Sequence, residues 1–293
     1  MNSSRDVYAY KILGEDRLNC MRRLVGSLGF PKSANSIGIK LNLCDYRKPE
    51  TGAVSHPQVV GALLHVLRDH YPDAKIDLLE GDSCDTICRM MYGFLGMDEV
   101  ARKYNTNCIS LADCEWASVP ISGGTVPEIE VPPLMKEYDL LINHPKLKTH
   151  GKTKMTASLK NLFGCYRPKD KRPYHRDLSG AIVDINKAIF PHFSVIDADL
   201  CVEGNRGPAQ GFPKKVGLFI GGKDPVATDA FCATLMGFRP SMIKHIKLAQ
   251  RESLGQMNFN LCGDLNTADL PQYKFKFSTA NFLMMEVARK TLA

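Results

Sequence analysis

Three short apolar runs, Ser36 to Cys44 (SIGIKLNLC), Lys75 to Glu80 (KIDLLE) and Asn107 to Leu111, are separated by stretches whose apolar residues recur at helical spacing. Those stretches run from Ser55-His56-Pro57 to about Tyr71 and from Cys84 to Tyr104. A strand apolar on both faces must be covered on both, and a strand-helix-strand repeat supplies the cover. The pattern therefore predicts an α/β fold on a mixed, mostly parallel sheet flanked by helices. The alternation continues with strands at Tyr138 to Asn143, Phe193 to Ile196 and Val216 to Gly221, and a helix over Asp177 to Phe190. Asp224-Pro225 pairs a capping carboxylate with a proline in the first turn and opens a helix that ends near Gly237. Helices over Pro240 to Leu254 and Thr279 to Leu292 follow. Trp116 to Pro133 is rich in Pro, Gly and β-branched residues and reads as an extended excursion or hairpin. It divides the expected single domain, residues 1–293, into candidate lobes 1–135 and 136–293 with a cleft.

With 44% hydrophobic and 24% charged residues the chain can fill such a core, so disorder and coiled coil are excluded as overall descriptions. No segment approaches 18 uninterrupted apolar residues and the first thirty are studded with charges, which argues against a membrane span or a secretory signal. The ten cysteines are well spaced, as expected of buried thiols in a reducing, cytoplasmic compartment. No C-x2-C-x2-C-x3-C run or zinc ribbon occurs, and Cys84 and Cys88 read as small core residues on one helical face. Walker, dinucleotide-binding and nucleophile-elbow motifs are also absent.

The net charge of +7 is concentrated. Between Lys146 and Arg176 there are ten basic residues and one acid, Asp170. The strand Tyr138 to Asn143 delivers the chain into this window at its carboxyl end, where α/β sheets bind ligands. His150, Lys160 and His175 are the candidate catalytic residues, because imidazole titrates near neutrality and a desolvated lysine can anchor or attack. Lys146, Lys148 and Asn161 are candidate anion contacts, and Lys40 and His56 can approach from the N-terminal half. Glu80, Asp197, Glu203 and Asp229 would complete a polar wall.

The run Pro145-Lys146-Leu147-Lys148-Thr149-His150, then Ser158-Leu159-Lys160-Asn161-Leu162-Phe163-Gly164, resembles the domain-of-unknown-function family numbered 362. Asp197 with Glu203-Gly204 and Gly207-Pro208 extends the resemblance, as does Gly221-Gly222-Lys223-Asp224-Pro225-Val226-Ala227-Thr228-Asp229-Ala230 with Met236-Gly237. Lys40-Leu41-Asn42 and Gly52-Ala53-Val54-Ser55-His56-Pro57 agree with its N-terminal signature. Many members carry an added module with two [4Fe-4S] clusters, whose cysteine motif this chain lacks. The family is also distantly similar to the N-terminal domain of nickel-dependent lactate racemase. His150, Lys160 and His175 have an order and spacing like that enzyme's histidine, cofactor-tethering lysine and nickel-ligating histidine. Ser158-Leu159-Lys160-Asn161 replaces the glycine-rich context around its lysine.

The expected function is an enzyme of unassigned reaction, related to the lactate racemase superfamily, that binds a small anionic substrate or a nucleotide-like cofactor, with or without a metal. The alternative is a non-catalytic iron-sulfur or metal-binding redox protein served by a partner protein. A nucleic-acid surface is the least favoured reading, since it needs the basic window to form an exposed convex face.

Overall fold

The structure, a computed structural model, describes residues 5–83, 86–167, 174, 176–204 and 211–277. His175, Gly207-Pro208, Cys84 and the helix expected over Thr279 to Leu292 lie outside the described residues. Twelve strands are present among those described: β1 Asp6–Lys11, β2 Ser36–Lys40, β3 Lys75–Glu80, β4 Asn107–Ser110, β5 Ala117–Pro120, β6 Glu128–Val131, β7 Leu140–Asn143, β8 Lys146–His150, β9 Lys154–Thr156, β10 Phe193–Glu203, β11 Phe212–Gly222 and β12 Asn260–Gly263.

Ten of them form one sheet in the order β12-β1-β11-β10-β7-β2-β3-β4, with β8 paired to β10 and β9 paired to β8. The β10-β7, β7-β2, β2-β3 and β3-β4 pairings are parallel, as are β8-β10 and β1-β12. The β1-β11, β10-β11 and β8-β9 pairings are antiparallel. This is the expected mixed, mostly parallel sheet, and it takes strands from both sides of residue 135. The Pro/Gly-rich excursion is a hairpin of β5 and β6, a separate two-stranded sheet.

Helices cover both faces. Arg17–Leu28 and Pro57–His70 pack Leu24, Val60 and Leu63 against Ile39 and Phe219. Pro225–Leu235 packs Phe231 and Val226 against Ile196 and Leu218. Leu178–Ala188 joins the β5-β6 hairpin through Ile185 and Ile129.

Several expectations shift. The strand begun at Ser36 stops at Lys40, and the helix expected over Cys84 to Tyr104 is two short helices, Cys88–Phe94 and Met97–Lys103, separated at Gly96 with φ 73°. Pro240 to Leu254 resolves into a 3-10 turn, Pro240–Met242, and a helix, Lys244–Arg251. Residues 1–35, unassigned in the sequence reading, supply β1 and the helix Arg17–Leu28, which Asp16 caps by accepting from Asn19 N.

Candidate anion site at the strand ends

Lys40, Glu80 and Asn143 are the last residues of three adjacent parallel strands, β2, β3 and β7. All three are buried. The Lys40 ammonium donates to Glu80 Oε1 at 2.5 Å and to the Leu41 carbonyl at 2.8 Å. Glu80 also accepts from Leu43 N at 2.7 Å and Gly81 N at 2.9 Å. Burial alone would push the Lys40 ammonium down, and Glu80 beside it holds it above the ordinary value. Gly164 lies against this pair, where a Cβ would come within 2.9 Å of both Lys40 Nζ and Glu80 Oε1.

An amide chain joins this pair to the basic window. Asn161, in the short helix Ser158–Asn161, donates to Asn143 Oδ1 at 2.7 Å and to the Leu41 carbonyl at 3.1 Å, and accepts from Asn42 Nδ2 at 2.7 Å. Asn143 donates to the Ser158 carbonyl, and the Ser158 and Ser194 hydroxyls are 2.5 Å apart. Asp229 accepts from Ser158 N at 2.6 Å and Leu159 N at 3.1 Å, fixing the start of the helix that carries Lys160. Burial pushes the Asp229 carboxyl up to about 7 against the pull of those two donors.

Alternation along β8 sets Lys146, Lys148 and His150 on one face of the strand, with Leu147 in the core on the other. Lys146 and Lys148 were expected to contact an anion directly. Each is instead buried and engaged within the protein. Lys146 donates to Asp197 Oδ2 at 2.6 Å, and Lys148 to Asn42 Oδ1 at 2.7 Å, the Ala53 carbonyl at 2.6 Å and Cys44 Sγ at 3.2 Å. Although burial opposes it, the Lys146 ammonium holds Asp197 below the usual carboxylate range.

His150, at the end of β8, keeps part of its surface open. Its Nδ1 accepts from Lys152 N at 3.1 Å and Thr153 N at 3.3 Å. Burial of the ring, then the charges of Lys160, Lys148 and Lys152, push it well below the ordinary histidine value. With Nδ1 accepting two N–H bonds, the proton of the neutral ring is assigned to Nε2. His150 is thus a neutral donor beside Lys160.

His56 caps the helix Pro57–His70 through Nδ1 and lies near Asp197 and Lys146, and burial lowers its pKa. Glu203 stands apart from the amide chain: it accepts from Lys276 N at 2.9 Å and pairs with Lys214 and Lys276. Asp229 supports the site from beneath.

The sequence reading missed His245, which is wholly buried near Lys160 and His150. It shares the inward face of its helix with Ile246 and Ala249, a signal present in the sequence but masked by Lys244 and Lys247. Asn42, Ser158 and Ser194 were likewise not weighed as site residues. Among the described residues no three His, Cys, Asp or Glu side chains converge to hold a metal.

The fold is an α/β fold whose parallel strands β2, β3 and β7 end in Lys40, Glu80 and Asn143, with Lys146, Lys148 and His150 on the adjoining β8. A family model described as a domain of unknown function, DUF362, matches residues 37–234, and the chain belongs to that family. It is 27% identical over 256 residues to the thylakoid-associated protein sll1697 of Synechocystis sp., covering 81% of this chain and 75% of that one. Among solved structures it is similar to the lactate racemase apoprotein of Thermoanaerobacterium thermosaccharolyticum, at 15% identity and a TM-score of 0.46. That match covers 80% of this chain and spans 58% of the racemase chain.

Proposed function

We propose that this protein is an enzyme that binds a small anionic substrate between Lys160 and His150, in a reaction where negative charge builds on a substrate oxygen. The observation that carries the reading is the His150 imidazole at the end of β8, whose Nδ1 accepts from two backbone N–H groups, near Lys160 of the short helix Ser158–Asn161. Lys160 supplies the charge that draws the anion in, and His150 Nε2–H donates to the oxygen on which charge develops. A preorganised donor in a partly buried site stabilises such charge more than water does. The Asn42-Asn161-Asn143 chain and the Lys40-Glu80 pair hold the surrounding backbone without competing for the ligand, because their hydrogen bonds are to one another, to Lys148, Cys44 and Ser158, and to main chain.

The test uses Lys160→Met, which keeps most of the side chain and removes the ammonium. Inorganic phosphate at about a hundredfold its Kd should raise the wild-type Tm by roughly 5 °C. The variant should keep its circular dichroism spectrum and lose that rise. Equal rises in the two proteins, or none in the wild type, overturn the reading.

A further inference from the structure

His245 is a buried histidine with neither ring nitrogen hydrogen-bonded to any described group. It lies in the helix Lys244–Arg251, whose first turn has no side-chain cap. The β8-β9 hairpin reaches this region directly: His150 pairs with Lys154, and Lys154 Nζ donates to the Met242 carbonyl at 3.2 Å. On the same hairpin Thr156, opposite Lys148, has a hydroxyl that is also buried without a partner. An unmade hydrogen bond on a buried polar group is expensive, and two on one ring call for a partner that fills the site when it is occupied.

A neutral imidazole offers one N–H donor and one bare nitrogen that accepts. Lys160 and the His150 N–H both ask for oxygen acceptors. The bare nitrogen of His245 asks for something different, a proton donor. We infer that His245 is a specificity-determining residue of the proposed anion site, selecting an oxyanion that carries its own O–H, such as hydrogen phosphate or a phosphate monoester that retains a proton. The inference rests on the anion-binding reading above and narrows its substrate class. Burial and the neighbouring Lys160 push His245 down to about 3, so it stays neutral and keeps an accepting nitrogen at working pH.

Phosphate and sulfate separate the two claims, since at pH 7 phosphate carries at least one O–H and sulfate none. Calorimetric titration of the wild type with each should show phosphate bound about tenfold more tightly, the penalty for leaving the nitrogen unpaired against sulfate. His245→Phe keeps the ring bulk and removes both nitrogens. It should bind the two anions within about twofold of each other, with sulfate affinity close to that of the parent. Equal affinity of the wild type for both anions overturns the role of His245 while the anion site stands. Preference retained in His245→Phe overturns it too. Binding of neither anion by the wild type overturns the parent reading instead. Because the wild-type comparison needs no variant, the inference remains testable if His245→Phe does not fold.

Discussion

Lys146 and Asp197 show how far the chemistry of a lysine depends on residues remote in sequence. Their side chains are 0% and 1% exposed, and their partnership spans 51 positions. Two charges taken out of water attract strongly, but the desolvation of each nearly offsets the attraction. Removing one partner should therefore cost more than removing both. Lys146→Met is expected to lower unfolding free energy in urea by about 3–5 kcal/mol, and adding Asp197→Leu to recover most of it. A single variant within 1 kcal/mol of the parent would contradict a buried pair at this position. The same remoteness explains what was legible. Alternation placed Lys146, Lys148 and His150 on one face of β8, but a lysine-rich window reads as solvent-facing unless the partners are known. Asn42, which takes the Lys148 ammonium, lies 106 positions away. The amide chain was invisible for the same reason: nothing local marks Asn42, Asn143 and Asn161 as mutual partners.

At the scale of elements, β3 and the start of the helix at Pro225 were readable because apolar runs and a Pro-capped start are local signals. β1 and β12 were not, since β1 is a polar-flanked strand whose pairing with β11 is set by the fold's closure. The loop after β2 is the element on which the site most depends, because it carries both Asn42 and the Ala53 carbonyl that hold Lys148. Its seat is Gly52, with φ 78°, where a Cβ would come within 2.6 Å of the Cys201 carbonyl on β10. Backbone cannot yield there as a flexible side chain could, and an alanine would also be strained at that φ. Gly52→Ala is expected to destabilise the protein by about 1–3 kcal/mol. Hydrogen exchange should quicken at the amides of Asn42 and Ser55, which bond to Ser55 Oγ and the Asn42 carbonyl. Unchanged exchange at both would mean that the loop is anchored elsewhere.

The whole molecule carries opposing titrations, and their signs predict its stability profile. His144, His150, His245 and His56 all titrate below their ordinary value, with burial the leading cause in each. A histidine kept neutral by folding takes up its proton on unfolding, so its contribution is present above about pH 6.5 and is lost as pH falls toward the folded value. For His245, whose folded value is about 3, the loss amounts to about 1.4 kcal/mol for each pH unit below 6.5. Asp229 acts in the other direction. Raised to about 7 in the fold, it contributes fully below about pH 4 and its contribution is lost as pH rises through 7. The four histidines and the depressed Asp197 lose stability as pH falls, while Asp184, Asp224 and Asp229, all raised by burial, lose it as pH rises, so Tm should peak near neutrality and fall more steeply on the acid side. Scanning calorimetry from pH 4.5 to 8.5 measures this directly. His245→Phe should make the acid limb shallower, because the residue that resists protonation is gone. Asp229→Asn should flatten the alkaline limb while lowering Tm throughout, since an amide offers one acceptor to the two N–H groups of Ser158 and Leu159. A Tm that rises between pH 7 and 5 would mean that these imidazoles are charged in the fold, and with them the neutral donor at His150 would be lost.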